Sequence, residues 1–243
     1  MSIITTDAPL HEAHRDNHTH RDVNGGWLRP AVFGAMDGLV SNLALMTGVA
    51  GGAVAPQTVV ITGLAGLAAG AFSMAAGEYT SVASQRELVL AELDVERQQL
   101  RRHPVGEMEE LAELYVSRGV EPALAREVAM QLSRDPEQAL EIHAREELGI
   151  DPDDLPSPMV AAVSSFGSFA VGALVPVLPY LLGATALWPA VLLALAGLFL
   201  CGAVVAKVTA ASWLRSGLRQ LLLGGAAAGV TYILGSWIGS ALG

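Results

Sequence analysis

The chain has 243 residues, 52% of them hydrophobic and only 16% charged, with a mean hydropathy of +0.44 and a formal charge of −10. That is too apolar and too thinly charged for an ordinary soluble domain. The net charge also argues against nucleic acid as a partner, since phosphate binding needs a basic face, whereas it suits the attraction of cations.

The charge is unevenly placed. Residues 85–154 hold 18 of the 24 acids and 8 of the 14 bases, so the whole net charge resides there. The expected organisation is a tail at 1–27, two membrane spans within 28–84, an acidic insert at 85–154 and three more spans within 155–243. The one cysteine, Cys201, lies in an apolar segment and allows no intrachain disulfide. The bases are nearly all Arg, with Lys207 the only lysine, a usage that hints at a GC-rich bacterial genome.

The first 26 residues are polar and predict no cleavable leader. They include His11, His14, His18 and His20. Two readings stand: a metal-collecting tail, because neutral imidazole binds transition ions, or a disordered, solvated terminus.

Five apolar segments follow, at about 31–52, 56–80, 158–182, 187–208 and 219–242. Each is long enough to span a bilayer as a helix, the form in which a single segment satisfies its own backbone in lipid. Pro30, Pro56, Pro158 and Pro189 stand at or near segment starts, where a missing N–H costs little. Pro176 and Pro179 fall inside the third segment and predict a kink or break there. The loops 51–57 and 183–189 carry no charge, while Arg15, Arg21 and Arg29 precede the first span and Lys207, Arg215 and Arg219 join the fourth to the fifth. By the positive-inside rule the N-terminus, the insert and the 209–218 link are cytoplasmic. Small residues four apart, Gly225/Gly229 and Gly235/Gly239, predict close helix packing, either within one protomer or across a dimer.

The first two spans carry acids where acids are costly: Asp37 in the first, Glu78 leaving the second, with Met74 one turn before it. Hard oxygens beside a soft sulfur suit a borderline transition metal better than calcium or magnesium. The plainer alternative is that Asp37 and Glu78 lie near the cytoplasmic helix ends and are simply hydrated.

No breaker follows Glu78 until His103-Pro104, so the second helix is expected to run on as a stalk through residues 79–102. Three further helices are predicted at about 106–118, 122–133 and 136–148, the last with Asp135 as N-cap, Pro136 first and Gly149 beyond its end. Within the insert, acids recur at helical spacing: Glu92/Glu96, Glu107/Glu110, Glu110/Glu113 and His143/Glu147. Residues three or four apart share a face and can present two ligands to one ion, as in carboxylate-bridged metal bundles. An acidic face exposed to water is the competing explanation.

The strings Asp37-Gly-Leu-Val, Ser73-Met74-Ala-Ala-Gly-Glu78-Tyr, Glu96-Arg, Glu109-Glu-Leu, Glu146-Glu-Leu-Gly149 and Ser216-Gly-Leu-Arg-Gln-Leu-Leu-Leu-Gly224 resemble the vacuolar iron transporter family over residues 28–243. The resemblance implies an all-α, multi-pass membrane protein: a homodimer of five-helix protomers with a cytoplasmic metal-binding insert between helices 2 and 3. It implies a transporter rather than an enzyme, exchanging Fe2+ or Mn2+ for protons, with the metal as substrate and no organic cofactor. Asp37 and Met74 match the family's transport site, with Glu78 as an accessory acid. Matching by spacing carries the insert's metal site to Glu96, Glu107, Glu110, His143 and Glu147. Gln99 stands where the family has another Glu and His143 where it has Met; the first change should weaken affinity, and the second makes binding fall below the histidine pKa. The bacterial plasma membrane is the expected location. The rivals are a membrane-tethered ferroxidase, which would want two Glu-x-x-His pairs that the sequence lacks, and a metal sensor that binds without transport.

Overall fold

In a computed structural model of the chain, residues 26–208 and 211–242 are described, and all regular structure among them is helical. The tail with its four histidines lies outside these residues. The elements in chain order are α1 (Leu28–Gly51), α2 (Pro56–Arg102), α3 (Pro104–Ser117), α4 (Pro122–Leu132), α5 (Pro136–Glu146), α6 (Pro158–Leu181), α7 (Trp188–Val208) and α8 (Trp213–Leu242). Five of them, α1, α2, α6, α7 and α8, are long and apolar enough to cross a membrane. Large apolar side chains on their outer faces are exposed in the isolated chain, Phe72, Ile233 and Trp237 among them. In water such a surface would be an aggregation hazard; in lipid it is the expected outer face.

At the centre stands α1, which packs against α6, α8, α2 and α7. Close approach is made possible by glycine. A side chain at Gly38 would run into the backbone oxygen of Phe169 on α6, and one at Gly235 of α8 into the backbone oxygen of Gly48 on α1. Gly239 approaches Gly52 in the same way, so the 235/239 pair serves packing within the protomer, whereas nothing lies near Gly229. Asn42, buried in α1, donates from Nδ2 to the carbonyl of Ala173 on α6 at 2.6 Å. This bond satisfies the donor side of a polar amide in an apolar span, whereas the buried Oδ1 has no hydrogen-bond partner among the described residues.

α6 runs without a break through Pro176 and Pro179, which both lie in its last two turns. Gly183, with φ +96°, then closes the end, with Gly183 N–H donating to the Tyr180 carbonyl and Ala184 N–H to that of Pro179. One boundary differs from expectation: α8 begins at Trp213 rather than near 219. Trp213 meets Phe199 of α7 edge-on at 6.1 Å, and Gly217 lies flat against the same ring, so tertiary packing extends the helix over a stretch that reads as a polar link.

α2 has 47 residues, a length of about 70 Å and about twice the hydrocarbon thickness of a bilayer. Its far half is the stalk, on which α3–α5 assemble. Leu93 of the stalk packs with Leu140 and Ala144 of α5, while Leu111 and Ala112 of α3 pack with Ala129 of α4. Asp135 caps α5 as its spacing predicts, its Oδ1 accepting from the N–H groups of Glu137 and Gln138 at 2.9 and 3.1 Å.

Candidate metal centre

The insert's helices bring three predicted ligands to one point. Glu96 on the stalk, His143 in the last turn of α5 and Glu147 just past it each offer an atom, and those atoms lie within 4.8 Å of one another. His143 Nδ1 stands 3.1 Å from Glu96 Oε1 and 3.0 Å from Glu147 Oε1, with Glu107 Oε2 of α3 at 3.9 Å. The His143 side chain is fully buried and Glu107 is only 8% exposed.

No hydrogen bond reaches Glu96 Oε1 or either nitrogen of His143. Orphaned buried polar atoms are costly, and crowded carboxylates add repulsion. Ligand atoms about 3 Å apart are what an ion holding each at about 2.1 Å would produce. One imidazole among carboxylates suits a transition metal more than calcium or magnesium. The electrostatics of Glu107 agree with an unneutralised site. Burial raises its pKa above the ordinary 4.5, Glu110 pushes it further, and His143 offsets part of the rise.

Glu110 itself is exposed and stays outside the three-ligand group, though near enough to act on Glu107 through its charge. Gln99, three residues past Glu96 along the stalk, is exposed and offers no charge.

In the membrane body, Asp37 is half-buried on α1, and among the described residues no cation pairs with it. Met74 is half-buried and packs on the cluster of Ala71, Phe169 and Ala173; Glu78 is half-buried one turn on. α1 and α2 run antiparallel. Met46 lies at Gly63, Asn42 at Gly66, and Gly38 abuts the backbone of Phe169 while Gly70 abuts its ring. This register puts Asp37 at the level of residues 70–74. Asn42 was missed by sequence reasoning, although an amide inside an apolar span, five residues from an acid, was a usable signal.

The profile of the VIT family matches residues 28–236. The chain is 42% identical over 192 residues to a protein of Acanthamoeba castellanii named "Vacuolar iron transporter", covering 75% of this chain and 70% of that one. It is 35% identical over 212 residues to "Vacuolar iron transporter homolog 5" of Oryza sativa subsp. japonica, covering 85% and 77%. With "Vacuolar iron transporter 1" of Arabidopsis thaliana it shares 29% over 223 residues, covering 90% and 89%. The match runs from the start of α1 into the last turns of α8 and takes in the cluster of Glu96, His143 and Glu147: this multi-pass integral membrane protein belongs to the VIT family.

Proposed function

We propose that the chain is a carrier that moves a divalent transition metal, Fe2+ or Mn2+, out of the cytosol in exchange for protons. The observation that carries this reading is the cluster of Glu96, His143 and Glu147, in which Glu96 Oε1 and both His143 nitrogens are buried without hydrogen bonds, and whose Glu96 stands on the helix that also bears Met74 and Glu78. The names of the relatives support iron as cargo. The insert collects the ion and Asp37 with Met74 receives it, after a path of about 33 Å along α2 from Glu96 to Met74. Protons and metal compete for the same carboxylates, so acid on the far side favours release.

Asp37 and Met74 supply only two ligands per protomer, fewer than a transition ion takes. A homodimer that pairs two such sets meets the requirement. The arginines before α1 and the cations at the α7–α8 junction favour a cytoplasmic N-terminus and insert, in a bacterial plasma membrane. Proteoliposome flux with an internal pH dye tests this. Fe2+ or Mn2+ entry should move protons the other way, and Asp37→Ala and Met74→Ala should each lower flux at least about tenfold. Unchanged flux in both variants would remove the transport site; metal entry without proton movement would remove the exchange.

A further inference from the structure

Two acids in succession, Glu146 and Glu147, end α5. That is an unfavourable place for them, because helix C-termini present carbonyl oxygens and repel negative charge. Glu147 faces His143 in the cluster. Glu146 is instead met by Arg118, the residue that follows the last turn of α3, through an ion pair between guanidinium and carboxylate. The same guanidinium donates to the backbone oxygen of Glu146 at 3.2 Å, so it caps the end of α5 as well. The Tyr115 phenol, three residues earlier, lies against that carboxylate. Elsewhere α3 packs chiefly on α4, and α5 on the stalk. The Arg118 contact is therefore a polar tie between two helices that each carry cluster residues, Glu107 on one and His143 on the other.

We propose that Arg118 is a positioning residue for the metal centre, holding the end of α5 so that Glu147 stays in register with Glu96, His143 and Glu107. The inference rests on reading that cluster as a metal site. A role in stability alone is a poor account of the contact. Arg118's side chain is 50% exposed, and exposed ion pairs contribute little to folding. Ligand geometry is far less forgiving, since displacements of about 0.5 Å matter at a metal centre, and loss of a supporting contact typically costs about 10–100-fold in affinity. A planar guanidinium that grips a side chain and a carbonyl together does what the single point charge of lysine would not.

The test uses the full chain in detergent with Mn2+ alone, in an Asp37→Ala background that leaves the insert's site to report. Binding and the paramagnetic resonance spectrum of bound Mn2+ are both recorded. Arg118→Gln should weaken binding by about tenfold and broaden the bound spectrum, while helicity and the unfolding midpoint barely move. Exchanging the charges, Arg118→Glu with Glu146→Arg, should recover part of the loss. Wild-type binding and lineshape in Arg118→Gln, or a loss untouched by the exchange, would overturn the proposal. Glu147→Gln separates the two layers. If it binds Mn2+ as tightly as the parent, the metal-centre reading fails and takes this inference with it; if it binds weakly while Arg118→Gln does not, the positioning role alone is lost.

Discussion

At the scale of residues, Glu107 states the problem that the insert solves. Its carboxylate is buried beside other carboxylates, and its pKa is raised first by burial and then by Glu110. Below the ordinary 4.5 the group is protonated whether folded or unfolded and costs nothing extra. As pH rises from there through the elevated folded value, the unfolded chain gives up its proton first, so the metal-free fold loses stability; above the folded value the whole penalty is present. Glu107→Gln should therefore raise the unfolding midpoint of the metal-free protein at pH 7.5, by about 2–4 °C for a change on the order of 1 kcal/mol, and the advantage should vanish toward pH 4. Thermal unfolding of both proteins across that range, in chelator, checks the sign. Added Mn2+ should stabilise the parent more than the variant, because binding to the native state adds stability in proportion to affinity. A variant that is no more stable than the parent at pH 7.5 would mean that the Glu107 carboxylate is not under strain.

Elements show what a sequence reveals and what it withholds. That Glu96 joins His143 and Glu147 was only what the family resemblance implied; helix periodicity by itself made the His143/Glu147 pair legible, and the absence of a breaker between Glu78 and His103 the stalk that carries Glu96. Arg118 and Glu146 were not legible as a pair, because they are 28 residues apart and meet only once α3 and α5 are assembled. The glycine pairs were equally silent about their partners. Gly235 and Gly239 lie against Gly48 of α1 and Gly52 just past its end, whereas Gly229, in a motif of the same form, faces open space in the protomer. Substitution separates the two. Gly235→Ala forces a methyl group into the carbonyl of Gly48 and should cost about 1–3 kcal/mol by pushing α8 off α1. Gly229→Ala meets nothing in the protomer and should be neutral or slightly stabilising through better helix propensity. Thermal unfolding in detergent, with protease sensitivity of α8 as a local probe, would show whether the two differ. Equal stability of both variants would mean that the α1–α8 contact is looser than its backbone spacing implies.

Across the whole molecule, charge and hydropathy are segregated: a body of five apolar helices around α1, and an insert that carries the entire −10. The stalk joins them as one continuous helix, and its Met74 and Glu96, one from each candidate metal station, are about 33 Å apart, too far for the stations to share ligands. Each station should then govern a different kinetic quantity. Weakening the insert's ligands lowers the local supply of ion, which excess metal can replace. Glu96→Gln with His143→Ala and Glu147→Gln should raise the metal concentration for half-maximal flux by about tenfold or more, with maximal flux near that of the parent. Asp37→Asn removes the charge on the proposed path and should depress maximal flux whatever the metal concentration. Ionic strength adds a further contrast. Attraction by the insert is long-ranged and screened, with a Debye length falling from about 30 Å at 0.01 M salt to about 8 Å at 0.15 M. Added salt should therefore reduce initial flux at low metal in the parent much more than in the triple variant. Liposome uptake at several metal and salt concentrations measures all of these together. If the triple variant lost maximal flux while keeping the parent's half-saturation, the insert would be part of the gate rather than a collector in front of it.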